Sequence, residues 1–143
     1  MIKKILVPVD LRDEHSWQST LPIALQEARA YGAELVAMTV FEPLGINIPD
    51  LPLAEEHNRK ALQHTEEALA ALVAQQIPSE IASRALVRQG SSVYKEILQT
   101  TKELGADLIV MAAHHPMLRD YLLGPNAAKV VRHADCSVYV VRD

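Results

Sequence analysis

The sequence predicts an α/β fold, a five-stranded parallel doubly wound sheet of order 3-2-1-4-5 with helices on both faces. Three observations carry that expectation. Short apolar segments alternate with longer amphipathic ones along the whole chain, the pattern of parallel strands joined by crossover helices. Leu108 to Met111 is continuously apolar, as a strand covered on both faces must be. Right-handed crossovers then make 3-2-1-4-5 the most economical order and place a topological switch point between the first and fourth strands, where a ligand should bind. With 143 residues and 49% hydrophobic content, residues 1–143 are expected to form one domain around one well-buried core.

The elements follow in order. Lys4 to Val9 is the first strand and ends at Asp10. A polar stretch leads into a helix that runs to Tyr31, with Leu21, Leu25 and Ala28 on one face, Pro22 in its first turns or kinking it, and Gly32 at the C′ position. Glu34 to Phe41, rich in Leu, Val and Met, is the second strand. Glu42 to Leu53 holds Pro43, Gly45, Pro49 and Pro52 and reads as a loop. The next helix spans Ala54 to Gln76, burying Leu62, Leu69 and Val73 and exposing Glu66 and Glu67. Pro78 ends that connection. Ile81 to Val87 alternates apolar with polar residues, which suggests a strand at a sheet edge. Gly90, Ser91 and Ser92 supply a turn and a cap for a third helix that faces inward through Val93, Ile97 and Leu98 and stops at Gly105. After the fourth strand and its polar loop, the last helix runs from Pro125 to His133, and Ser137 to Val141 is the fifth strand.

Composition removes several function classes. Lys and Arg number 14 against 18 Asp and Glu, a net charge of -4, with no basic run to meet a phosphate backbone, so nucleic acid is not an expected partner. The apolar run near the start is only about five residues long and carries Pro8, too short for a signal peptide or a membrane span. No stretch elsewhere is long and apolar enough for membrane insertion. A lone cysteine, Cys136, excludes an internal disulfide and a multi-cysteine metal site and suits a reducing, cytoplasmic setting. Neither a GxSxG elbow nor a Walker GxxxxGK[ST] loop occurs, so acyl transfer and P-loop hydrolysis have no support and no catalytic residue is assigned.

The candidate site lies where the first and fourth strands end. Gly124 opens a helix beyond the carboxyl end of a parallel strand, which presents free backbone N–H groups and the positive end of the helix dipole to a phosphate. Pro125, the next residue, has neither an N–H nor a hydroxyl to offer, and Asn126 is a substitute donor. Asp10 is read two ways: as an acceptor for ribose hydroxyls or a holder of a phosphate-bound metal, or as a residue that simply initiates its loop. His114 and His115 are adjacent and would point to opposite sides of an extended chain, so they cannot easily chelate one ion and fit a polar or phosphate-facing role better. His133, Asp135 and Cys136 sit at a helix-to-strand junction away from the switch point, where a structural cysteine is the stronger reading. Tyr121, Leu122 and Leu123 are read as packing anchors of the loop.

The segments "ILVPVD", "AELVAMTVF", "VRQGSSVYKEI" and "ADLIVMAA…LLGPNAAKVVRHADCSVYVVRD" together resemble the universal stress protein (UspA-type) family over essentially the whole chain, closest to its small F-type and G-type bacterial members. The resemblance implies a Rossmann-like stress-response module in the cytoplasm, a homodimer paired through Ser137 to Val141. It implies an adenine nucleotide, ATP or AMP with Mg²⁺ as a companion ion, lined by Pro8, Val9, Asp10 and Val40 on one wall and Met111 and Ala112 on the other. Nucleotide-binding members carry Gly-x-x-Gly, nine residues, then Gly-Ser. Here Ala112 replaces the first Gly, His114 or His115 stands near the second, Gly124 is kept, and Pro125 replaces the Ser. Losing one charge-assisted phosphate hydrogen bond costs about 1.5 to 3 kcal/mol, roughly tenfold to a hundredfold in affinity. The rival reading is a dimeric interaction protein that kept the fold and lost the ligand. Slow ATP hydrolysis, with Asp10 or a loop histidine positioning water or Mg²⁺, is a third.

Overall fold

A computed structural model of the chain describes residues 1–44, 51–113 and 124–142. Its five strands are β1 (Lys4–Pro8), β2 (Glu34–Phe41), β3 (Ser83–Gln89), β4 (Leu108–Ala112) and β5 (Ser137–Val141). They form one sheet in the order β3-β2-β1-β4-β5, with every neighbouring pair parallel. The helices are α1 (His15–Gln18), α2 (Thr20–Tyr31), α3 (Leu51–Gln76), α4 (Val93–Leu104) and α5 (Pro125–His133).

The alternation of side chains along each strand sorts the core into two layers. Ile5, Val7, Leu35, Ala37, Leu108 and Val110 pack with Leu21, Ala24 and Ala28 of α2 and Leu69 and Leu72 of α3. Leu6, Val36, Met38, Ile109 and Met111 point the other way, onto Ile97 of α4 and Ala127 and Val130 of α5. The reversal of winding at β1 causes this division. Crossovers that lead outward from β1 through β2 to β3 put their helices on one face, and those returning through β4 to β5 put theirs on the other.

Several sequence boundaries shift. β1 ends at Pro8 and not Val9, although the Val9 N–H still reaches Met38 O at 2.8 Å. The first helical stretch is divided: α1 is a separate turn, and Pro22 is the third residue of α2, where its missing N–H has no intrahelical partner to lose. α3 begins at Leu51, three residues earlier than expected, so Pro52 lies in its first turn and not in a loop. β3 is displaced toward the carboxyl end: Ile81 is buried but precedes the ladder, while the polar Arg88 and Gln89 pair with Val40 and Phe41. Val93, expected to face inward, is 41% exposed, because it occupies the first position of α4 a full turn ahead of the buried Ile97. Ser92 does occupy the N-cap of α4, but its hydroxyl makes no capping hydrogen bond and the Glu96 N–H bonds its carbonyl instead. The glycine stops hold: Gly32 and Gly105 adopt φ of 66° and 63°, the left-handed conformation that ends a helix without a Cβ clash.

Candidate functional site

At the carboxyl edge, β1 and β4 leave the sheet side by side and diverge to opposite faces. Leu6 lies beside Ile109 in the ladder, so the chain exits at Pro8 on one strand and at Ala112 on its neighbour. The crevice between them is the switch point. Its β1 wall is fixed by two buried hydrogen bonds: the Val9 N–H donates to Met38 O, and the hydroxyl of Thr39 donates to Val9 O at 2.9 Å. Val40, one residue further along β2, is half-buried against the α4 and α5 layer. On the other side Met111 is buried and Ala112 half-buried.

Asp10 heads a tight polar turn. Its N–H donates to Ser16 Oγ at 2.8 Å, and the same hydroxyl lies 3.0 Å from Asp10 O and 2.7 Å from Asp13 O. The fully buried Thr20 hydroxyl in turn donates to Ser16 O at 2.8 Å. One carboxylate oxygen of Asp10, Oδ1, accepts from the Arg12 N–H at 3.0 Å and from Arg12 Nε at 3.3 Å. Oδ2 has no hydrogen-bond partner among the described residues, and the side chain is 46% exposed. The reading of Asp10 as a residue that initiates its loop is met by Oδ1, which closes the turn. Ser16, which holds the whole turn, was not singled out in the sequence. Its only signal there is a serine at the end of a short polar run, "DLRDEHS".

The β4 wall is tied to the start of α5. The Ala113 N–H donates to Val141 O at 2.8 Å, and the Gly124 N–H donates to Ala113 O at 2.6 Å, so a buried glycine is pinned to the strand end. Gly124 is the N-cap of α5 and Pro125 follows at the first helical position, with no side chain among the described residues capping the helix. The first intrahelical bond is Ala128 N–H to Gly124 O at 2.9 Å. Among the described residues the amides of Asn126 and Ala127 are therefore uncapped at this helix start, with the one at Pro125 missing outright. Pro125 and Asn126 are both exposed. Of the eleven sequence-predicted site residues, Pro8, Val9, Asp10, Val40, Met111, Ala112, Gly124, Pro125 and Asn126 thus lie at this edge; His114 and His115 fall outside the described residues, as do Tyr121, Leu122 and Leu123.

The other cluster lies elsewhere. His133, Asp135 and Cys136 line a cleft of about 570 Å³ with Lys95, Leu98 and Lys102, at the amino end of β5 and far along the strand direction from the switch point. Burial pushes the Cys136 thiol above its ordinary pKa, the reverse of what a thiolate nucleophile needs. Among the described residues no three His, Cys, Asp or Glu side chains come together as a metal site, and no helix is long and apolar enough to cross a membrane.

The Universal stress protein family model matches residues 1–142. Universal stress protein G of Shigella flexneri is 42% identical over 96 residues, a match that covers 65% of this chain and 63% of that relative. A universal stress protein of Thermus aquaticus is 34% identical over 147 residues, covering 99% of this chain and 100% of the relative. Among solved structures, UspA from Lactobacillus plantarum superposes with a TM-score of 0.75 at 26% identity, covering 99% of this chain and 98% of that one. Two more distant structures share the fold and hold a nucleotide. The Archaeoglobus fulgidus protein is in complex with dAMP (TM-score 0.65, 20% identity, 98% of each chain), and an Arabidopsis thaliana protein has AMP bound (TM-score 0.64, 18% identity, 98% of this chain and 91% of that one).

Proposed function

The chain belongs to the universal stress protein family, and from that premise we propose that it is a cytoplasmic stress-response module that binds an adenine nucleotide, ATP or AMP, at the crevice between β1 and β4. The observation that carries the reading is the edge itself. Among the described residues one carboxylate oxygen of Asp10 is unpartnered at the end of β1, and across the crevice the pinned Gly124 opens α5 with amides that no described side chain caps. A carboxylate acceptor beside a helix N-terminus is complementary to a ribose followed by a phosphate. Val9, Val40 and Met111 offer the apolar walls that an adenine ring requires. Relatives of the same fold hold dAMP and AMP. The module signals by its bound state and carries no catalytic residue, and it works as a homodimer.

Calorimetry with adenosine, AMP and ATP tests the reading. The wild-type protein should bind all three, and Asp10→Ala should lose roughly tenfold in each, the worth of a hydrogen bond to a charged acceptor. Equal binding by both proteins would reduce Asp10 to a turn residue. A second reading is favoured by one specific residue: Pro125 removes a donor where the phosphate would sit, so a dimeric interaction protein that no longer binds nucleotide is the alternative. No heat and no thermal shift with any of the three ligands would decide for it.

A further inference from the structure

Pro125 leaves the phosphate end of the site short of a donor, and the turn after β1 holds a cation placed to make up for it. Arg12 is two residues beyond Asp10, and its Nε lies 3.3 Å from Asp10 Oδ1. Its side chain is 91% exposed, so the guanidinium is solvated on nearly every side and little except that one contact would be lost if it moved. The backbone of Arg12 is held independently, by its own N–H to Asp10 Oδ1 at 3.0 Å, so the side chain can swing while the turn stays closed. The five donors of a guanidinium match phosphate oxygens in pairs, as they match a carboxylate.

The topology favours the exchange. Adjacent strands lie about 4.8 Å apart, and β1 and β4 are adjacent. Ala113, just past the end of β4, is bonded directly to Gly124. Arg12, two residues past Asp10, and Gly124 therefore follow neighbouring strand ends at the same edge of the sheet. Among the described residues the competing cations are committed or remote. Arg88, at the carboxyl end of β3, is held by Glu103 at 2.8 Å and by Glu96 at 3.8 Å. Lys129 lies over the Tyr94 ring, 4.7 Å from its centroid. Lys3 and Lys4 stand at the opposite, amino end of β1. Arg142 follows β5, on the far side of β4 from Asp10.

We infer that Arg12 is a phosphate-binding residue of the switch-point site: the ribose hydroxyls take over the Asp10 carboxylate, and the guanidinium released from it closes on the phosphates in place of the donor that Pro125 lacks. The inference rests on the adenine-nucleotide reading above. It also assigns the Asp10–Arg12 pair a use in the free protein, where the two charges compensate one another until a ligand carrying both a diol and an anion separates them. A nucleoside without phosphate would gain nothing from Arg12.

The test is a set of adenosine, AMP and ATP titrations on the wild-type protein and on Arg12→Gln, Arg12→Lys, Arg142→Gln and Arg29→Gln. Arg29 lies in the last turn of α2, paired with Glu80, and controls for net charge. Arg12→Gln should weaken ATP about tenfold and AMP several-fold while adenosine changes less than about twofold, with Arg12→Lys in between. Both control variants should match the wild type. If wild type binds all three ligands and Arg12→Gln binds ATP just as well, or if Arg142→Gln carries the loss instead, the assignment to Arg12 is wrong and the nucleotide reading stands. If Arg12→Gln weakens all three ligands alike, the residue shapes the turn and does not touch phosphate. If wild type binds none of them, both readings fall together.

Discussion

Asp107 shows how a single carboxylate can organise the end of the sheet opposite the site. It accepts the backbone N–H groups of Lys3 at 2.8 Å and Lys4 at 3.0 Å, and these bonds, with the nearby amino terminus and Lys3 charge, hold its carboxyl below the ordinary aspartate range. A folded-state pKa below the unfolded one means stabilisation that is fully present above the unfolded value and lost as pH falls through the folded value. Asp107→Asn should therefore lower the unfolding midpoint near pH 7, and the gap to wild type should narrow below about pH 4, as measured by urea titration at both pH values. A gap that is the same at pH 3 and pH 7 would show that the charge contributes nothing. Pro125 is the counterpart at the other end. Proline costs α5 little at its first position, so Pro125→Ser should leave stability nearly unchanged while restoring an N–H and a hydroxyl, strengthening ATP about tenfold and adenosine hardly at all. Paired titrations check it. Asp10, Gly124 and Pro125 were legible in the sequence because strand ends and helix starts are marked by residue type. Ser16 and Asp107 were not, since each acts by bonding backbone groups, and for Asp107 those groups are more than a hundred positions away in sequence.

At the scale of elements, what the sequence revealed well was whatever burial or backbone chirality enforces. α5 and β5 came out with their observed bounds because Pro125 and Gly124 punctuate one and an unbroken apolar run marks the other. β3 slipped because hydropathy follows burial and not pairing: Ile81 is buried yet outside the ladder, whereas Arg88 and Gln89 pair with β2 and show no apolar signal. α3 begins earlier than the run of prolines predicts, because Pro52 is compatible with a first turn. Gly105 allows a quantitative check. Its φ of 63° is one that L-residues adopt at a cost, but a Cβ built there meets nothing within 4 Å, so the penalty is conformational alone. Gly105→Ala should destabilise by about 1 kcal/mol. Gly90 differs, since a Cβ there would collide with the Glu96 side chain that leans over it, and any gain or loss at Gly90 mixes strain with displacement of Glu96 from Arg88. A denaturation midpoint for Gly105→Ala equal to wild type would mean that the left-handed turn is not held at this residue.

For the whole molecule, the two edges of the sheet differ in a way that bears on assembly. β3 is guarded: Arg84 pairs with Glu34 at 3.1 Å, Arg88 with Glu103, and the strand ends in Gln89. Charged side chains on an edge strand oppose its pairing with another chain. β5 carries none. Its residues Ser137 to Val141 are uncharged, it is paired only with β4, and Tyr139 is 43% exposed with Val138 and Val140 half-buried beside it. An uncharged edge with an exposed aromatic is a template for self-association, and a second copy of the same strand related by a two-fold axis satisfies it in the simplest closed way. The expectation is a homodimer through β5, sedimenting as such at micromolar concentration. Deleting the strand would also strip Val141 from the core, so Tyr139→Lys is the cleaner variant: it places a charge on the exposed side chain and leaves Val141 buried. It should weaken dimerisation by roughly tenfold or more while the unfolding midpoint of the monomer stays close to wild type. A wild-type protein that is monomeric under these conditions removes the premise, and a Tyr139→Lys protein that dimerises as well as wild type moves the interface away from β5.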